Sequence, residues 1–190
     1  MRFMGKILVA AVAAGLFCNT LIAAENGFVA RIGFGSSSGK TEVSSGGVTD
    51  EGSDRGNTFD IYAGYRMQNA QFGLSYAKAN FDGGDANYIL ASGAYVVENL
   101  HKNIKPFLGL GFGLLNYEES DYFDESGLFG TVNLGVNVEL DNFFFGAEFK
   151  QRIFGGIDED IDVYYNGYIY TTNVKVEPKQ TYLFYVGYKF

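Results

Sequence analysis

Residues Thr181–Phe190 read TYLFYVGYKF. Tyr182, Phe184, Val186, Tyr188 and Phe190 take every second position. Between them lie Thr181, Leu183, Tyr185, Gly187 and Lys189, mostly smaller or polar. Successive side chains of a strand point to opposite faces, so this alternation predicts a β-strand with one continuous apolar face. Its length fits the roughly 9–11 residues that a tilted strand needs to cross a bilayer. Strands of soluble sheets are shorter, typically about 5–6 residues.

Moving outward from this segment, the same period predicts seven more strands. Near 27–35, Phe28, Ala30, Ile32 and Phe34 alternate with Val29, Arg31 and Gly33. Near 58–66, Phe59, Ile61, Ala63 and Tyr65 alternate with Asp60, Tyr62, Gly64 and Arg66. Near 71–79, Phe72, Leu74 and Tyr76 alternate with Gly73, Ser75 and Ala77. The segment 86–97 alternates weakly, with Tyr88, Leu90, Ala94 and Val96 on the less polar face. Near 104–116, Leu108, Leu110, Phe112 and Leu114 alternate with Gly109, Gly111 and Gly113. Near 127–140, Leu128, Val132, Leu134, Val136 and Val138 alternate with Thr131, Asn133, Gly135, Asn137 and Glu139. Near 143–153, Phe143, Phe145, Ala147 and Phe149 alternate with Phe144, Gly146, Glu148, Lys150 and Arg152. Pro106 and Pro178 sit near expected strand beginnings, where a missing N–H costs little.

The connections alternate in length. Met67–Ala70, Glu98–Asn103 and Asp141–Asn142 are short, whereas 36–57, 80–85, 117–126 and 154–179 are mostly longer. Short turns on one side and long loops on the other are the pattern of outer-membrane barrels. Closure into a barrel also removes the exposed edges that an open sheet would carry. The expectation is an all-β, eight-stranded, antiparallel up-and-down transmembrane barrel, with both termini on the periplasmic side. A soluble lipocalin-like barrel has eight alternating strands too, with its apolar face inward. Arg31, Asp60, Arg66, Glu139, Glu148, Lys150, Arg152 and Lys189 all lie opposite the aromatic rows, which suits either a polar lumen or a wet outer surface.

The N-terminal segment 1–24, MRFMGKILVAAVAAGLFCNTLIAA, is read as a secretory signal peptide. Arg2 and Lys6 supply the positive start, Ile7–Cys18 the apolar run, and Ile22 and Ala24 the positions before a cut at Glu25. Phe17 stands where lipoprotein processing at Cys18 would need a small residue. Residues 25–190 form the expected barrel domain. Without the segment the chain carries 12 Lys+Arg and 22 Asp+Glu, and Cys18, its single cysteine, is gone. A disulfide scaffold is excluded. Nucleic acid is a poor partner for an acidic chain with no basic patch. Disorder is excluded by 18 Phe and 14 Tyr.

TYLFYVGYKF closely resembles the C-terminal signal strand of Gram-negative outer-membrane proteins, which ends in an aromatic residue. Lys105–Leu114, KPFLGLGFGL, resembles a strand of the small OmpA/OmpX-like barrels. The resemblance implies insertion by the barrel assembly machinery, reading Tyr182, Phe184, Val186, Tyr188 and Phe190. It also implies a place in the outer membrane, reached through the periplasm. With Phe190 as the last residue, the peptidoglycan-binding domain of full-length OmpA-type proteins is not expected.

Some barrels of this size act on lipid A, and the PagL-like and PagP-like enzymes need a histidine. Hydrolysis requires a base near neutral pH. The single histidine, His101, falls in a periplasmic turn, a membrane thickness from an external site. Omptin-type proteases need more strands. No catalytic, cofactor-binding or metal-binding set is therefore expected, and no cofactor. Acidic clusters at Glu118–Glu125 and Asp158–Asp162 lack the EF-hand pattern and read as solvated loops, or as weak divalent sites bridging to lipopolysaccharide phosphates. In the lumen, Arg31 and Glu148 are placed to meet near mid-strand, as a structural plug or as part of a narrow ion path. Tyr164, Tyr165, Tyr168 and Tyr170 in the last link are the candidates for recognition, or else extend the last hairpin. Lys78 sits near the external rim. The expected function is non-enzymatic: a monomeric barrel supporting envelope integrity, with external loops contacting lipopolysaccharide, host or matrix. A narrow ion channel is the alternative.

Overall fold

The structure, a computed structural model, describes residues 26–82, 84–119, 123–165 and 168–190. Among the described residues nine strands run in chain order: β1 (Asn26–Ser45), β2 (Val48–Met67), β3 (Ala70–Asn80), β4 (Asp85–Val96), β5 (Ile104–Glu119), β6 (Phe123–Leu140), β7 (Phe143–Gly155), β8 (Ile157–Tyr165) and β9 (Tyr168–Lys189). Neighbours pair antiparallel in the order β1-β2-β3-β4-β5-β6-β7-β9, and β9 returns to β1. This is the expected eight-stranded closed barrel. The chain end is held in it, because Phe190 N donates to Phe28 O at 2.9 Å.

The outer wall is apolar. Ile32, Phe34, Phe72, Leu74, Leu110, Phe112, Phe145, Phe184 and Val186 are all exposed, the most open being Phe184 at 72%. Such a band is untenable in water, since soluble monomers rarely expose large contiguous apolar patches. Aromatic pairs rim it at both ends. Phe28–Tyr65, Phe143–Tyr188 and Tyr188–Phe190 meet at ring distances of 5.2, 4.9 and 4.8 Å on the turn side. Phe34–Phe59 and Phe149–Tyr182 meet at 5.1 and 5.0 Å on the other. Girdles flanking an apolar band are the mark of a membrane barrel. The inward-facing apolar surface that a lipocalin-like barrel requires is thus reversed here. Among the described residues no helix is long and apolar enough to cross a membrane.

Three expectations need correction. First, the long external links are largely strand. β1 and β2 stay in register from Asn26↔Met67 to Ser45↔Val48, closed by Gly46 and Gly47 at φ +59° and +82°. A two-residue turn with both φ positive matches the twist of a hairpin, and glycine adopts it without strain. Second, the link 154–179 extends the last hairpin, as one of its two readings had it, but β8 and β9 pair from Ile157↔Val176 to Tyr165↔Tyr168, so the last strand begins well before Pro178. Pro178 therefore lies inside β9, at the register shift opposite Ser38/Gly39, where a residue without an N–H is tolerated. Third, Tyr88, Leu90 and Val96 of β4 point into the lumen and are buried, while Tyr95 faces outward. They turn inward because the interior needs volume there. The inward Gly111 of β5 leaves the space that Leu90 fills, a Cβ at that position falling 2.9 Å from Leu90 Cδ1.

Candidate functional site: the lumen and the external rim

Eight strands leave an interior just wide enough for side chains, and this one is filled in layers. At the external end Ala79, Ala86, Leu115, Tyr117, Ile157 and Val176 form an apolar layer. Ile157 enters it because β8 folds back over the mouth, against Gly127 of β6. At the other end Val29, Val96, Phe107 and Phe144 form a second apolar layer with the rings of Tyr62 and Tyr185.

The buried charges lie between these layers. Arg31 NH2 donates to Glu148 Oε2 at 2.5 Å, with side chains 6% and 3% exposed. Lys150 Nζ donates to Asp60 Oδ2 at 2.9 Å and sits 3.8 Å from Glu148 Oε2. The Arg31 guanidinium lies between Tyr62 and Tyr185, 4.6 and 4.4 Å from their ring centroids. Cation–π contact adds to the ion pair where water is excluded. The two rings are held in turn: Gln71 Nε2 donates to Tyr62 OH at 3.1 Å, and Tyr185 OH donates to Asn137 Oδ1 at 2.6 Å.

A second cluster closes the end that carries the short turns. Arg66 donates through NH1 to Glu139 and through NH2 to Glu98. Lys105 Nζ lies 2.9 Å from Glu98 Oε2 and donates to Glu98 O at 2.7 Å. Half-buried Lys189 lines a small recess beside Arg66 and Glu139. Burial tends to raise the Glu98 carboxyl, but the hydrogen bonds and charges of Lys105 and Arg66 outweigh it and hold the group below its ordinary value.

The structure thus places Arg31, Asp60, Glu148 and Lys150 in one mid-lumen network, and Arg66, Glu139 and Lys189 at one end. Arg152 stands apart, stacked on Phe129 at 4.5 Å. Sequence reasoning missed Lys105, Glu98, Tyr62 and Tyr185 as partners. Lys105 carried a signal, since it shares the inward parity of Gly109 and Gly111. Glu98 carried none, because it lies between β4 and β5.

The remaining candidates lie at the surface. Tyr182, Phe184, Val186 and Tyr188 face the lipid side of β9. The backbones of Tyr164, Tyr165, Tyr168 and Tyr170 belong to the β8–β9 hairpin, and their side chains lie outside the described residues. Lys78 pairs with Asp85 at 2.5 Å. His101 is exposed, and its Nδ1 accepts the Asn103 backbone N–H at 3.1 Å. No group of His, Cys, Asp or Glu that could hold a metal occurs among the described residues.

No protein-family profile matches the chain, and no curated protein does. Solved structures do. Neisserial surface protein A matches with a TM-score of 0.59 at 21% identity, over 88% of this chain and 100% of that one. The N-terminal β-barrel domain of Pseudomonas aeruginosa OprF matches with a TM-score of 0.51 at 15% identity, again over 88% and 100%. Together with the lipid-facing wall and the filled lumen, this likeness assigns the chain the fold of the small eight-stranded outer-membrane barrels.

Proposed function

We propose that the protein is a non-enzymatic outer-membrane scaffold that holds rigid, acidic hairpins above the membrane. A secretory signal peptide at residues 1–24 would deliver it, and the aromatic C-terminal strand would direct its insertion by the barrel assembly machinery. The observation that carries this reading is the reach of the strands. β1, β2 and β9 run for 20, 20 and 22 residues, about twice what a bilayer crossing requires. The excess emerges on one side as the β1–β2 and β8–β9 hairpins, which also pair with each other from Gly39↔Pro178 to Ser44↔Asn173. They carry Glu42, Asp50, Glu51, Asp54, Asp158, Glu159 and Asp160 into the external space.

Such a surface suits contact with lipopolysaccharide through bridging divalent cations, or with basic patches on a host or matrix surface. Replacing 39–54 by a short turn tests the scaffold reading. The trimmed barrel is expected to fold, shown by different migration of boiled and unboiled samples on a detergent gel, and to lose adhesion of expressing cells. Unchanged adhesion, and unchanged binding to lipopolysaccharide bilayers with and without magnesium, overturns the reading.

A narrow ion path is the second reading. It is favoured by Lys150 standing between two carboxylates, 2.9 Å from Asp60 and 3.8 Å from Glu148. An exchange of partners there would open and close a path through the charge layer. Discrete conductance steps in a planar bilayer that change with Glu148→Gln would support it. A silent bilayer with folding verified rejects it.

A further inference from the structure

Arg152 is the luminal cation that the network leaves out. Its Nε and NH1 are buried and have no protein hydrogen-bond partner among the described residues. The carboxylate that bears on it, Glu177, is itself bonded to Lys175 at 2.7 Å. Arginine does not shed its proton in proteins, so burial cannot be relieved by neutralisation. Arg31 and Lys150 pair with Asp60 and Glu148, all four buried, and the half-buried Arg152 adds a third cation to these two carboxylates, while the half-buried Glu177 is matched by Lys175. The lumen there carries one positive charge more than its carboxylates balance.

A cavity lies where that charge is. It measures about 40 Å³, and its lining includes Arg152, Lys150, Asp60, Thr131, Tyr88 and Phe129. About 10–15 Å³ of such volume accommodates one water, so the space holds a few water-sized particles. Two neutral groups on its wall, Tyr88 OH and Thr131 Oγ1, are also buried without a protein partner among the described residues. Both are hydroxyls able to donate. Phe129 stacks on the guanidinium at 4.5 Å, and both residues line the cavity. Lys179, exposed at the β9 bulge, lines both this cavity and a wider external depression that also holds Lys40 and Arg55 beside Glu51, Asp54 and Asp82.

We propose that this cavity is a binding site for a small monovalent anion of chloride size, held by Arg152 with Thr131 and Tyr88 at the external end of the lumen. The anion cancels the unbalanced luminal charge and satisfies donors that the barrel wall leaves unpaired. Asp60 Oδ1, also buried and without a protein partner among the described residues, repels an anion and takes a water in the same cavity. Size sets the selectivity: chloride and bromide fit, whereas gluconate does not. The site is separate from the acidic hairpins and does not depend on what they contact.

The test uses the refolded barrel in detergent. Its thermal midpoint is measured in sodium chloride, sodium bromide and sodium gluconate at equal ionic strength, for the wild type and for Arg152→Gln. The wild type is expected to melt several degrees higher in the halides, with saturation on titration, and the variant to show no halide gap. Crystals grown in bromide are expected to give an anomalous peak within hydrogen-bonding distance of Arg152. A halide gap that persists in Arg152→Gln overturns the proposal, as does a cavity holding only water. Should the variant fail to fold, the anomalous map of the wild type decides alone.

Discussion

Arg31 on β1 and Glu148 on β7, 117 positions apart in the chain, meet inside the lumen over β9 at 2.5 Å, with the Arg31 guanidinium between the rings of Tyr62 and Tyr185. The pair ties together the two strands that flank β9. Its geometry offsets the desolvation of two charges by direct pairing, by the second cation Lys150 and by the aromatic faces.

Removing one partner strands the other in a dry interior. Arg31→Met or Glu148→Gln is expected to lower the unfolding free energy by about 3–5 kcal/mol, the usual penalty for breaking a buried pair. The double variant Arg31→Met/Glu148→Leu should recover most of that loss. Urea unfolding in lipid vesicles measures all three. A double variant no better than the singles would mean that the pair does not act as a unit.

The apolar wall predicts a depth-dependent penalty. Leu110, 63% exposed and mid-strand on β5, is expected to cost about 2–4 kcal/mol as Leu110→Arg if hydrocarbon surrounds it. Val48, 73% exposed at the tip of the β1–β2 hairpin, should accept Val48→Lys without effect on vesicle-embedded stability. Equal tolerance at both sites would remove the membrane from the account.

The cluster around Glu98 predicts an acid-side weakness. The Glu98 carboxyl is held below its ordinary value of 4.5, so its contribution is complete above pH 4.5 and is lost as pH falls through the folded value. The unfolding midpoint should therefore decline below pH 4.5, with Arg66 and Lys105 losing their shared partner. In Glu98→Gln that part of the decline should vanish, while stability at neutral pH starts lower. A Glu98→Gln profile parallel to the wild type would place the acid sensitivity elsewhere.

The hairpin tip predicts a local effect. Gly47 has φ +82°, a region that a β-branched residue enters only with strain. Gly47→Val should increase amide exchange over 38–55 by an order of magnitude or more. The barrel's own unfolding midpoint should not move, because the tip makes no contact with the lumen. Protection unchanged at 38–55 would mean that the hairpin is held by something other than its turn.

Legibility differed from element to element. The strands carrying Phe28–Phe34, Leu108–Leu114 and Tyr182–Phe190 were plain, because one lipid-facing row needs large apolar residues at every second position. β4 misled for a physical reason. Its outward row includes the small Ala91 and Gly93, and its inward row supplies Tyr88, Leu90 and Val96 to the core, so hydrophobicity marks the wrong face. The external hairpins looked like loops because Gly, Ser and acidic residues have low strand propensity. Continued pairing with a twisted, already ordered partner overrides that propensity.

The sequence by itself determined the period of the strands, their number in the barrel wall, and the inward parity of Arg31, Asp60, Glu148 and Lys150. All of these follow from spacing along one strand, a local property that needs no knowledge of neighbours. Only the tertiary structure decided that Arg31 meets Glu148 while Arg152 forms no ion pair with a carboxylate among the described residues, that Glu98 joins Arg66 and Lys105, and that Ile157 closes the external mouth. Those outcomes depend on the register between strands and on how much volume the lumen leaves. A bulge between Gly130 and Thr131, pairing Thr131 with Arg152 and Gly130 with Phe154, shifts β7 by one residue against β6. No count along a single strand contains that shift, and it helps to set where the luminal charges find partners.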